Sequence, residues 1–154
     1  MQEHESIQNE GNLMIRSIKE TGFYIDELLI QDSSIPVKTD IGLQLSFTIE
    51  TNLIYMLVRV SQHYPDAPNE QILADIQVQN IFEIEGLYNY QSGISQLILP
   101  QHIIISMVSL SISHIRALLA QRIAGSGLQG NTLPLVNPLE VAKHFFPEMF
   151  GNSF

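Results

Sequence analysis

The chain has 154 residues, 45% of them hydrophobic, so it holds enough apolar mass for a packed core in one domain. Its formal net charge is −9 with only seven Lys and Arg, which argues against binding to phosphate backbones and to anionic membrane surfaces. It has no cysteine, which removes disulfides, thiolate metal sites and thiol catalysis and suits a reducing compartment.

Residues 1–11 read as a flexible acidic tail, without the basic start and apolar core of a secretion signal. Residues 12–150 read as a single domain. Asn12 to Ile30 forms a first strand region. Leu13 and Ile15 share a phase, Ile18 breaks it, and Phe23 and Ile25 resume it, so a bulge near Ser17 or Gly22 is expected. Asp32-Ser-Ser-Ile-Pro36 is a turn-rich link. Ile41, Leu43, Leu45, Phe47 and Ile49 alternate at period two, the pattern of a half-buried strand. Glu50-Thr-Asn52 makes a short turn into a third strand, Leu53 to Val60. Tyr64 to Glu70 carries two prolines and reads as a loop. A fourth strand runs from Ile72 to Glu85. Links this short pair the strands antiparallel.

The period then changes to that of a helix. Pro100 can sit in a first turn and Gly125-Ser-Gly127 can end the segment. Ile104, Val108, Ile112, Ile115, Leu119 and Ile123 make one apolar stripe, which Ile103, Met107, Leu110 and Leu118 widen. Another side is small: Ser106, Ser109, Ser113, Ala117, Ala120 and Ala124. One face covers a sheet and the small face admits a second helix, most simply from another subunit; an ordinary buried helix with a wet, serine-lined side is the alternative. Pro100, Gln101, His102, His114 and Arg116 disfavour direct membrane insertion of this apolar stretch. A last helix begins at Asn137-Pro138, a cap followed by proline at the first position, and Pro147 curtails it.

No chemistry-bearing motif survives this ordering. Gly125-Ser-Gly-Leu-Gln-Gly130 matches the glycine fingerprint of dinucleotide sites, but that fingerprint needs a strand before it and a helix after it. The five histidines, His4, His63, His102, His114 and His144, show no i, i+4 pair, so neither a metal nor another cofactor is expected. Serines lack a nucleophile elbow. No catalytic residues are expected, although a small enzyme using a histidine and carboxylates in a subunit cleft is the rival that sequence alone leaves open.

The order of elements and several short motifs resemble the SecB family of bacterial protein-export chaperones. Ala74-Asp-Ile-Gln77 and Ile81-Phe-Glu-Ile-Glu-Gly86 look like its last strand. Pro100 and Ser106-Met-Val-Ser109 look like its helix start, Leu133-Pro-Leu-Val-Asn137 precedes its final helix, and Leu13 to Ile18 with Phe23-Tyr-Ile-Asp26 fits its first strand. The resemblance implies an α+β fold: a four-stranded antiparallel sheet with a long and a short C-terminal helix packed on one face. It implies a cytoplasmic homotetramer, a dimer of dimers built by the long helix and the first strand. Its activity would be that of an ATP-independent holdase for non-native polypeptides, serving protein export. The alternative within the resemblance is a dedicated chaperone or adaptor for one partner, such as an antitoxin.

Carried onto this sequence, the client groove takes Leu28, Leu29, Ile35, Val37, Ile41, Leu43, Phe145 and Phe146. Docking of the export motor SecA takes Asp26, Leu73 and Asp75. The subunit interface takes Ser106, Ser109, Ser113, Ala117 and Ala120. Two departures stand out: Gly22 occurs where the family has a further acidic residue, and Ile115 to Ala124 extends the helix beyond the family's usual end.

Overall fold

A computed structural model describes residues 13–31, 35–66 and 71–151; the N-terminal tail, Asp32 to Ser34 and part of the 64–70 loop lie outside the described residues. Strands β1 (Leu13–Ile25), β2 (Lys38–Thr48), β3 (Leu53–His63) and β4 (Ala74–Ile84) form one antiparallel sheet in the order β1-β4-β3-β2. A small hairpin, β5 (Gln91–Ser92) and β6 (Gln96–Leu97), leads to the long helix α1 (Gln101–Ile123), and a loop leads to α2 (Pro138–Phe145). Helix α1 lies over β4, β3 and part of β1, and α2 packs on α1. The chain is thus α+β, with both helices on one side of one sheet.

The register explains the faces. On β4, Ala74, Ile76, Val78, Phe82 and Ile84 point to the helices and are no more than 1% exposed. Ile54, Met56, Val58 and Val60 of β3 lie beside them, equally buried. The stripe of α1 from Ile104 to Ile123 closes the core from above, each of its six residues no more than 2% exposed. The alternation at period two and the repeat near 3.6 residues therefore meet in one apolar layer. By length and composition α1 is apolar enough to cross a membrane, and its stripe from Ile104 to Ile123 is buried inside the fold.

Strand β1 carries two register shifts, between Ile15 and Ser17 and between Glu20 and Gly22, where the phase of the sequence breaks. It ends at Ile25 and not at Ile30. The Asp26 carboxylate accepts the Leu28 N–H at 3.1 Å, a side-chain turn that lifts the following residues out of the sheet. β3 runs three residues past Val60, because Ser61, Gln62 and His63 still pair with Asp40, Thr39 and Lys38. Asn52 takes the left-handed conformation (φ 58°) and closes the β2–β3 turn. Pro100 stands just before α1 as its cap. The fingerprint-like Gly125 to Gly130 follows a helix and forms turns, as a helix stop would. Asn137 caps α2 by accepting the Leu139 N–H at 3.0 Å. The hairpin β5–β6 and the 3-10 turns at Leu87–Tyr90 and Pro147–Phe150 carry no sequence periodicity, since each is shorter than one period can register.

The helix extension is anchored. Arg122 lies 3.0 Å from Glu20 of β1 and 5.2 Å over the Phe23 ring. Arg116 donates to the carbonyls of Leu133 and Pro134 at 3.3 and 3.2 Å. These contacts hold α1 to the far half of β1 on one side and to the loop before α2 on the other.

Candidate functional site

The helix side of the sheet is not covered evenly. Ile41, Leu43, Leu45 and Phe47 of β2 pair with Val60, Val58, Met56 and Ile54, so they share the core face. They are all only half-buried, because β2 is an edge strand and α1 sits over its neighbours. A flat apolar row remains beside a free strand edge, whose unpaired N–H and C=O groups face outward.

Two other segments carry apolar residues that the fold leaves exposed or half-buried. In the crossover from β1 to β2, Leu28 is 97% exposed, while Leu29, Ile35 and Val37 are half-buried. Leu29 and Val37 pack against the core, and the Gln31 N–H donates to the Tyr64 hydroxyl at 2.7 Å, tying the crossover to the end of β3. In α2, Phe145 is half-buried and meets the His144 ring edge-on at 4.9 Å. Phe146 is 6% exposed and belongs to the core of this protomer. The expected client residues thus divide into exposed Leu28, a half-buried set from Leu29 to Phe145, and buried Phe146. Leu45 and Phe47 continue the β2 row, and Leu135, 93% exposed, stands in the loop before α2. The unbroken period-two pattern already pointed to Leu45 and Phe47. Leu135 gave no signal, because a lone leucine in a loop has no period.

Of the residues expected for motor docking, Asp26 and Asp75 stand at one corner of the opposite face and Leu73 does not. The Asp26 N–H donates to the Leu73 carbonyl at 2.8 Å, and the Tyr24 hydroxyl donates to the Asp26 carboxylate at 3.2 Å. Leu73 is 1% exposed and packs in the core. Asp75 is 9% exposed, and its Oδ2 accepts from Arg59 Nε and from Ser61 Oγ, each at 2.7 Å. The acidic corner is therefore largely cancelled by its own arginine.

On α1, Ser106, Ser113 and Ala117 are exposed and Ser109 and Ala120 half-buried, on the side away from the sheet. The Ser106 and Ser113 hydroxyls donate back to the His102 and Ser109 carbonyls at 2.7 and 2.9 Å, so the face presents satisfied, small side chains. Among the described residues no three His, Asp or Glu side chains converge as a metal site would require.

No family model and no curated protein sequence matches the chain. Among solved structures it is similar to the Rv1957 SecB-like chaperone of Mycobacterium tuberculosis, in complex with a ChAD peptide from the Rv1956 HigA1 antitoxin. That likeness has a TM-score of 0.51 at 12% identity, over 80% of this chain and 90% of the other. The chain has a SecB-like fold. In the SecB-like frame, the uncovered β2 row, the crossover and α2 lie on the helix side, while Asp26 and Asp75 lie at the sheet's other face.

Proposed function

We propose that this protein is an ATP-independent chaperone that holds non-native polypeptides on the helix side of its sheet. The observation that carries the reading is the half-buried apolar row of β2 beside a free strand edge, with Leu28 at 97% and Leu135 at 93% exposure adding bare apolar side chains elsewhere on the chain. Exposed apolar surface of this kind marks an interaction site. Each apolar side chain a client buries contributes on the order of 1.5–3 kcal/mol, and a chain of such contacts has no sequence-reading polar group. Capture is then broad, and release is fast because each contact is weak.

The reading includes a homotetramer built as a dimer of dimers through the small face of α1 and through β1. It places the protein in the cytoplasm, in keeping with a chain free of cysteine, and assigns it no enzymatic role and no cofactor. Delivery to an export motor at Asp26 and Asp75 forms part of the same proposal; Leu73, expected there too, is buried in the core and meets Asp26 only through its carbonyl.

The test is light scattering of two unrelated unfolded proteins without ATP. Suppression of both by the wild type is expected, with weaker suppression by Leu28→Asp at unchanged melting temperature, its side chain being 97% exposed, and by Leu43→Asp, measured below its own melting temperature. If both variants hold clients as the wild type does, the groove is misplaced. A second reading, a dedicated chaperone for one partner such as an antitoxin, draws support from the Asp75–Arg59 pair, which removes charge from the motor corner. It also draws on the antitoxin peptide held by the similar structure. Failure to suppress either unfolded protein, with tight binding of one co-expressed partner, would favour it.

A further inference from the structure

The sheet's outer face has a feature that the folded chain does not use. Gly22, Gln77, Arg59 and Gly42 stand in one row across all four strands, from β1 through β4 and β3 to β2. A glycine stands on each edge strand. Neither has a positive φ, and a Cβ built on either would meet nothing within 4 Å. Glycine weakens a strand relative to alanine. Gly22 adjoins a bulge, which accounts for it in part, whereas Gly42 sits in regular register and gains nothing in packing or backbone conformation. An unforced strand glycine marks a place where another backbone comes close.

Between the glycines stands Arg59, half-exposed and flanked by two hollows. One is lined by Gly22, Tyr24, Asp75 and Gln77, the other by Asp40, Gly42, Ser61 and His63; Arg59 and Ile72 border both. Only Nε of Arg59 is engaged, on Asp75, which Ser61 also satisfies. The terminal nitrogens have no partner among the described residues, and their fork suits a carboxylate. The charge of the whole face points the same way. Four of the seven Lys and Arg, Arg16, Lys19, Lys38 and Arg59, stand on it against four carboxylates, Asp40, Asp75 and Glu83 on the strands and Asp26 just past β1, so this face is close to neutral on a chain of net charge −9. The rest of this strongly acidic chain carries the negative excess.

We infer that this row is a docking trough for an extended acidic polypeptide segment. The segment crosses the strands, lies close over Gly22 and Gly42, and places a carboxylate on Arg59. It is a site separate from the client groove, on the other face of the sheet, and it does not depend on the chaperone reading.

The test uses the full-length protein and two labelled twelve-residue probes, one alternating Glu and Ser, the other Lys and Ser, read by fluorescence anisotropy at low and high salt. The acidic probe is expected to bind at least tenfold more tightly than the basic one, and to weaken as salt screens the charges. Gly42→Val adds a β-former into open space, so the melting temperature should hold or rise while acidic-probe affinity falls at least tenfold. Lys19→Glu, one row away and exposed, should weaken binding several-fold. Equal affinity for both probes, or wild-type binding by Gly42→Val, overturns the inference. So does equal binding of a single-stranded oligonucleotide, which would make the face a phosphate reader, or a change of oligomeric state in Gly42→Val, which would make the occupant a second copy. Client suppression by Gly42→Val should match the wild type. A wild type that binds the acidic probe but suppresses no aggregation would sink the chaperone reading and leave the trough standing.

Discussion

Asn80 sits at the centre of β4, fully buried, on a face otherwise made of aliphatic and aromatic side chains. Its Oδ1 lies 2.6 Å from His114 Nδ1, so the ring donates to it with a proton on Nδ1. Burial pushes the His114 pKa below the usual histidine value. The unfolded chain takes up a proton near pH ~6.5, while the folded chain resists it to lower pH. Below that point the unfolded state binds more protons, so the contribution is present at high pH and lost as pH falls from the unfolded toward the folded pKa. His114→Gln keeps a hydrogen-bonding side chain and removes the titration. The denaturant midpoint of the wild type should therefore fall more steeply between about pH 7.5 and pH 5.5 than that of the variant. Parallel pH profiles would show that His114 titrates alike in both states. Nothing in the sequence flagged this pair: 34 residues separate Asn80 and His114, and only the packing of α1 on β4 brings them together.

At the scale of elements, α1 carries the fold. Ile112 and Ile115 are no more than 2% exposed between the helix and the sheet, so Ile115→Ala should lower stability by about 2–5 kcal/mol through the cavity it leaves. Chemical denaturation measures that directly. The turn after α1 holds the crossover, because a Cβ on Gly127 would come 2.6 Å from Ile30 Cγ2. Gly127→Val must displace Ile30, and a loss of roughly 1–3 kcal/mol is expected. Client holding should fall with it if the groove rests on this contact; unchanged suppression would separate Ile30 from the site. The strands and both helices were legible because each is long enough for its period to repeat: the β2 row from Ile41 to Phe47, the α1 stripe from Ile104 to Ile123, and the Asn137-Pro138 start of α2. The ends were less so. The Asp26 turn cut β1 short, and the pairing of Lys38 with His63 lengthened β2 and β3, because a strand end is fixed by its neighbour as much as by its own residues.

Among the described residues, apolar surface stays uncovered in more than one place. One is the half-open row of β2 described above. Another is the helix side of β1, where Ile15 and Ile18 are 41% and 44% exposed. The candidate groove was legible only in part for the same reason. Period two shows that Leu43 faces one side of a sheet, but only the position of α1 over β4 and β3 shows that this side stays half-open at β2. For α1 the logic runs outward. A helix whose stripe is already buried gains nothing within the protomer from serine and alanine at Ser113, Ala117 and Ala120, whereas side chains this small let another helix approach to about 8 Å. Ala117 is exposed, so Ala117→Glu leaves the protomer intact and places a charge where a second helix would pack. Sedimentation velocity should give an assembly of four copies for the wild type and a smaller species for Ala117→Glu, with unchanged far-ultraviolet circular dichroism. A wild type that sediments as a monomer would refute the assembly. A variant that stays assembled would move the interface from α1 to the open edge of β1, where Ile15→Glu and Ile18→Glu would then be the substitutions that dissociate it.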